Sequence, residues 1–294
     1  MRGVEVVEAP AKSVLNRVAG MPFEWSINPY RGCYHGCVFC YARRTHTFLK
    51  DDGVRQWSSR IYVKTNAPSV LRTELAKRSW KHDYVAIGTV TDPYQPLEGR
   101  YRLTRGIVQA LRDYDTPAGI ITRSPLVIRD IDVLSQLARV AGVTVSISIA
   151  TMNAQLAREI EPTVAPPQKR LLAVSRLAEA GIKVNVALAP ILPQITDSPE
   201  NIDAVVRAAR NAGAERIWHN ALHLHEVTRD AFFEYLRAKR PDLIATYAST
   251  YRGKYAAREV QETIESRVSH AMRSARSSKQ RYIEPSGPLQ LSLI

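Results

Sequence analysis

The sequence predicts an α/β protein: a partial (β/α)6, TIM-like barrel with a parallel sheet, helices outside it and more helices flanking its C-terminal end. Three observations carry this. Apolar runs of strand length alternate with longer stretches whose apolar residues recur at helical spacing. The runs are near-continuous, as in strands buried on both faces. Each run ends in a polar or turn-forming group, at the strand end where a parallel barrel carries its functional residues. A chain of 294 residues that is 45% hydrophobic and 23% charged, with 14 Gly and 17 Pro, has a globular composition. Collagen-like, disordered and coiled-coil classes are excluded.

The first strand is expected at 23–28, leading into a loop rich in Cys, Gly and Pro. Asn66 then reads as an N-cap before Leu71, Leu75 and Ala76, which predicts a helix over 66–80. A buried-type strand at 84–90 ends in the turn Thr91-Asp92-Pro93. Helix near 101–114, strand at 118–123, helix at 129–140 and strand at 143–149 follow. The helix over 167–180 stops at Gly181, a suitable C′ residue. Strand 183–189, helix 199–212 and strand 215–221 complete six units. Beyond residue 225 the pattern changes to two amphipathic helices, 228–239 and 251–275, and a tail or docking strand, 277–294. The expected division is therefore 1–225, the barrel with a short N-terminal extension, and 226–294, a helical extension and tail.

No membrane partner is expected, because the longest apolar run, 184–193, is strand-sized. The first residues, with Arg2, Glu5 and Glu8, lack the apolar stretch of a secretory signal, so a cytoplasmic location is expected. Forty-one Lys and Arg against 28 Asp and Glu leave a net charge of +13, which favours anionic partners such as nucleic acid. The basic residues form no dense block, so charge alone does not select a partner.

Three cysteines exist, Cys33, Cys37 and Cys40, all inside eight residues. An odd, isolated trio excludes a disulfide framework. Pro29, Gly32 and Gly36 make the segment a loop able to turn three thiolates toward one centre, and clustered thiolates select zinc or iron–sulfur chemistry. Zinc of the Cys3His type needs a fourth ligand, with His35 or His46 nearest. A [4Fe–4S] cluster held by three thiolates instead leaves one iron open for an outside ligand.

At this point the residues carry a resemblance. C-x3-C-x2-C with an aromatic before the last cysteine, here Phe39, resembles the signature of the radical S-adenosylmethionine (SAM) superfamily. Asn28-Pro29-Tyr30-Arg31-Gly32-Cys33, the run from Thr91 to Glu98, Ile121-Thr122-Arg123-Ser124, Arg129-Asp130 and the run from Ala189 to Pro193 resemble its branch related to spore photoproduct lyase. The resemblance spans roughly residues 10–240. It implies a partial barrel of the radical SAM type, with a [4Fe–4S] cluster on Cys33, Cys37 and Cys40. It also implies SAM bound at the open iron, and reductive cleavage of SAM to a 5′-deoxyadenosyl radical that abstracts hydrogen. A one-electron reductant of flavodoxin or ferredoxin type is implied as partner.

The resemblance and the positions of residues at strand ends together suggest site roles, several beside a plainer structural one. Phe39 stands near the adenine. Thr89, Thr91 and Asp92 stand where the family meets the SAM amino group, although Asp92 also reads as a cap of the next turn. Arg123 faces the methionine carboxylate, or is a surface arginine. Ser148 meets the ribose, or caps a turn. Glu98 binds substrate, or pairs with Arg102 at i,i+4. His219 is a candidate substrate contact, and His219, His223, His225 and Glu226 a weaker second metal set. Tyr41, Tyr94 and Trp218 are candidates to stack on a base or seal the mouth.

One departure matters: the lyase completes its cycle with an additional cysteine as hydrogen donor, and this chain has no fourth cysteine. Tyr94 is the candidate to take that place. No cysteine-rich block for auxiliary clusters follows. The substrate stays open, with radical repair or modification of nucleic acid as one alternative. A non-catalytic Fe–S or zinc protein that binds nucleic acid is another.

Overall fold

In a computed structural model that describes residues 3–47 and 55–275, six strands lie side by side in chain order and all run parallel. They are Trp25–Ile27 (β1), Val85–Ile87 (β2), Ala118–Thr122 (β3), Val143–Ser148 (β4), Lys183–Ile191 (β5) and Arg216–Ala221 (β6). A two-residue antiparallel strand, Asn16–Arg17, extends the sheet beside β1. β6 and this short strand are its two edges, so the sheet is open.

Parallel neighbours need a crossover, and a helix supplies each one. They are Ala67–Leu75 (α1), Leu103–Asp113 (α2), Ile131–Val140 (α3), Pro167–Glu179 (α4) and Pro199–Asn211 (α5). α5 starts where the Ser198 hydroxyl accepts from the Asn201 N–H at 3.2 Å, with Pro199 at its first position. Beyond β6 come Glu226–Lys239 (α6) and Arg258–Ser274 (α7), separated by a short helix, Ile244–Thr250.

The strands are apolar on both faces because both are covered. The main core joins Ile87, Ile120, Val145 and Val186 of the sheet to Leu71, Ile107, Leu134 and Val206 of the helices, and to Ile264 and Val268 of α7. A second core lies at the sheet's C-terminal end. There Phe232 and Leu236 of α6 pack with Tyr247, Tyr251, Cys37 and Phe39.

Two local expectations are corrected. The helix expected over 66–80 ends at Leu75, because Trp80 turns back toward the sheet. Its Nε1 donates to the Thr116 hydroxyl at 3.0 Å and its ring meets Trp25 edge-on at 5.6 Å. The helix expected over 251–275 begins only at Arg258, because Lys254 is used as an acceptor for the Leu224 N–H at 2.8 Å. A small second sheet was not anticipated: Glu5–Glu8 and Tyr30–Arg31 pair with Arg60–Val63, and it braces the start of the cysteine loop. The tail expected over 277–294 lies outside the described residues. No described helix is long and apolar enough to cross a membrane.

Candidate metal and cofactor site

Because all six strands are parallel, their C-terminal ends face one way. The cysteine loop follows β1, Thr89–Asp92 follow β2, Arg123 follows β3, Ser148 closes β4, Ala189 lies near the end of β5 and His219 near that of β6. Asn28 joins the first two ends: its amide donates to the Thr89 hydroxyl at 3.1 Å and its carbonyl accepts from Val90 N–H at 3.0 Å. The Thr91 hydroxyl donates to Gly32 O at 2.6 Å, and Gln95 donates to the same oxygen at 3.2 Å while accepting from Tyr34 N–H at 3.0 Å. Thus the turn after β2 clamps the residue before Cys33. Gly32 has φ +87°, and a Cβ there would sit 2.7 Å from Arg60 O and 2.9 Å from Trp57 O, so only glycine fits between them.

The rest of the loop is tied to distant segments. Cys33 N–H donates to Trp57 O at 3.0 Å, and Val38 N–H to Ile160 O at 3.0 Å. Arg43 donates to Cys37 O at 3.2 Å, and Thr228 of α6 to Cys40 O at 3.5 Å. Cys33 and Cys37 are buried, Cys40 is partly so, and all three thiols are free. Burial pushes each thiol up, Cys33 to about 12, and negative charge on one cysteine further disfavours ionising another. Cys40 packs in the same cluster as Cys33 and in the same cluster as Cys37, and the desolvated thiols are reluctant to ionise unaided. A positively charged metal centre reverses that preference by binding the thiolates.

The fit to a cluster rests on more than the donor type. Trp57 packs against Cys33 and Cys40, with the Arg43 guanidinium 5.2 Å above its ring. Trp57 Nε1 and Arg43 Nε are buried with no hydrogen-bond partner among the described residues. Unanswered donors beside three thiols suit a sulfur-rich group. Among the described residues no three His, Cys, Asp or Glu side chains converge as a site for a single ion. A cluster, which offers each thiolate a different iron, does not ask for that convergence. His35, considered as a zinc ligand, instead has Nε2 3.2 Å from Asp92 Oδ2.

Arg123 is partly buried and not free. Its Nε donates to Glu161 at 2.8 Å, Nη2 to Ala189 O at 3.2 Å, and its guanidinium lies 5.5 Å from the Phe39 ring centre. Glu161 is buried and also meets Arg170 at 2.5 Å, while Arg170 donates to Ser148 O at 3.0 Å. Burial opposes ionisation of Glu161, but Arg170 and Arg123 outweigh it and hold its pKa below the usual range. One carboxylate thus serves two guanidinium groups, and the Arg123 cation lies close enough to Cys37 and Cys40 to favour their negative charge.

Asp92 is similarly committed. Oδ1 accepts from the Thr122 hydroxyl at 2.6 Å and Tyr94 N–H at 2.9 Å; Oδ2 accepts from Arg123 N–H at 2.7 Å and faces His35. Burial alone would raise its pKa, yet His35, Thr122 and the Arg123 N–H hold it below the ordinary value. With its lone pairs engaged, Asp92 locks the ends of β2 and β3 together and caps its own turn.

Other residues fall elsewhere. Tyr94, expected at the mouth, is wholly buried in the main core near Asp130. His219 shares a strand face with Ile217 and is turned toward α7, its Nε2 3.0 Å from Glu265. His223 packs on Tyr255 and His225 meets Arg44, so the histidines do not converge. Glu98 pairs with Arg129 at 2.9 Å, not Arg102. The helix carrying Glu98 ends at Tyr101, and Arg102 turns into φ +51°, so the two share no helix face. Tyr41 is half-exposed with its hydroxyl donating to Thr89 O, and Trp218 is partly exposed on the opposite strand face from His219. Glu161, Arg170, Gln95, Arg43 and Trp57 were not singled out from the sequence. Local pattern does not mark them: Arg170, for example, directly follows Gln168 and Lys169 and reads as one more surface cation.

Comparison with known proteins places these features in context. The family model described as the Radical SAM superfamily matches residues 27–205. An uncharacterized protein of Mycobacterium tuberculosis (strain ATCC 25618 / H37Rv) is 38% identical over 270 residues, 90% of this chain and 79% of its own length. An uncharacterized protein of Acidianus two-tailed virus is 31% identical over 207 residues, 68% of this chain and 67% of its own. Among solved structures, spore photoproduct lyase complexed with dinucleoside spore photoproduct aligns with a TM-score of 0.68 at 15% identity, over 92% of this chain and 79% of that one. That likeness is one of fold.

Proposed function

The chain belongs to the radical SAM superfamily, and on that premise we propose that it is an enzyme carrying one [4Fe–4S] cluster on Cys33, Cys37 and Cys40. The observation that carries this is three free thiols, two buried and one partly so, packed together on one clamped loop at the C-terminal ends of the strands. Bound there, the cluster and SAM would supply one-electron cleavage of the sulfonium and, through it, hydrogen abstraction from a substrate.

The protein's own residues orient and shield. Arg123, braced by Glu161 and Ala189 O, offers positive charge to the methionine carboxylate, since the single Glu161 charge is shared with Arg170. Phe39, buried beside Arg123, closes the apolar side. Thr91 and Gln95 hold the loop, Thr89 holds Asn28, and Ser148 supplies the carbonyl that fixes Arg170. Asp92 positions Arg123 through its backbone N–H rather than receiving an ammonium. A reductant of flavodoxin or ferredoxin type delivers the electron, in the cytoplasm.

The test is anaerobic reconstitution with iron and sulfide, then electron paramagnetic resonance (EPR) of the reduced protein with and without SAM. A [4Fe–4S]⁺ signal that changes with SAM, together with 5′-deoxyadenosine release, is expected. Cys33→Ala, Cys37→Ala or Cys40→Ala should each abolish both. A cluster indifferent to SAM would leave a binding protein instead. The net charge of +13 favours a second reading, in which the substrate is a nucleic acid. Affinity for an oligonucleotide should then fall steeply between 50 mM and 200 mM salt.

A further inference from the structure

We propose that Trp57 is a positioning residue for the redox centre: its indole N–H, together with the Arg43 guanidinium, donates to sulfur at the cysteine loop and raises the potential at which the cluster is reduced. The inference rests on the cluster reading above. Its grounds are the indole's surroundings.

Trp57 is 1% exposed, yet its Nε1 has no hydrogen-bond acceptor among the described residues. An unpaired buried donor is destabilising, so it calls for a specific acceptor. The chain's other enclosed indoles show the ordinary solution: Trp25 Nε1 donates to Asp83 at 3.2 Å and Trp80 Nε1 to Thr116 at 3.0 Å. The apolar side chains packed with Trp57 are Cys33, Cys40, Ala42 and Val90, and Arg43 lies over its ring. Sulfur is the acceptor chemistry within that set. Its backbone carbonyl already receives the Cys33 N–H at 3.0 Å, so the indole is fastened to the loop it would serve.

Arg43 repeats the pattern. Nη2 reaches Cys37 O at 3.2 Å, its guanidinium carbon lies 5.2 Å from the centre of the Trp57 ring, and Nε is buried without an acceptor among the described residues. Two unanswered donors on adjacent groups thus border the same thiols. Donors to cluster sulfur stabilise the added electron, which is one of the levers that set such potentials.

The experiment is potentiometric titration of the reconstituted protein followed by EPR, with Trp57→Phe and Arg43→Met beside the parent. Phe keeps ring volume and stacking and removes only the N–H. Iron and sulfide content and circular dichroism establish that each variant folds and loads. A more negative midpoint in W57F, with unchanged iron content, is the expected result. R43M should shift in the same direction. A second readout does not depend on a variant: with 15N-tryptophan labelling, pulsed EPR of the reduced parent should show a weakly coupled 15N that W57F lacks. A loaded W57F with an unchanged midpoint, and no 15N coupling in the parent, overturns the assignment while leaving the cluster intact. A parent that takes up no cluster overturns both the assignment and the reading beneath it.

Discussion

Glu161 is the shared counter-ion of Arg123 and Arg170, and it is as buried as the core around it. Glu161→Gln keeps the shape but leaves two guanidinium cations uncompensated. Breaking a buried pair in this way costs about 3–5 kcal/mol, measurable as a fall in the urea midpoint at constant slope. Gly32→Ala forces a Cβ onto two backbone oxygens at a left-handed φ. A loss of about 1–3 kcal/mol is expected, with lower iron occupancy at equal protein. Acid sensitivity follows from Asp132, where the hydrogen bond from Arg105 lowers the pKa to about 2. A depressed carboxylate stabilises above its ordinary pKa, near 4, and the contribution is lost as pH falls through the folded value. The stability gap between the parent and Asp132→Asn should therefore be steady at neutral pH and close between about pH 4 and pH 2. Since Asp132 is largely exposed, that gap should be at most about 1 kcal/mol.

At the scale of elements, α6 does more than flank the sheet. Phe232 and Leu236 share a core with Cys37 and Phe39. Leu236→Ala should cost about 2–5 kcal/mol and speed hydrogen exchange at residues 37–40, read by mass spectrometry. The strand–helix alternation was legible because both-face burial writes near-continuous apolar runs such as 143–149 and 183–189. The placement of the cysteine loop and Arg123 at the C-terminal ends of β1 and β3 was legible because each follows an apolar run directly. The supporting shell was not. Glu161 meets Arg123 across 38 positions and Gln95 meets Gly32 across 63, and local pattern holds no record of contacts that distant. The setting of His219 was legible in the sequence. Strand alternation from the buried Ile217 puts it on the helix-facing side, and that period of two was there to be read.

For the molecule as a whole, the division we propose at residue 225 is one of role rather than of folding. α7 contributes Ile264, Val268 and Ala271 to the main core, and α6 completes the second. A chain cut after His225 should lose cooperative unfolding, seen as a broad, non-sigmoidal thermal transition by circular dichroism. The placement of the four tryptophans has an optical consequence. Trp25 and Trp80 face each other at the start of β1, Trp218 lies in the open on β6, and Trp57 alone adjoins the cysteines. Iron–sulfur chromophores absorb where indole emits, so energy transfer from Trp57 should dim it most strongly. An anaerobic iron and sulfide titration followed by fluorescence would then report loading at the loop in real time. Iron adhering elsewhere on the surface would leave that component bright.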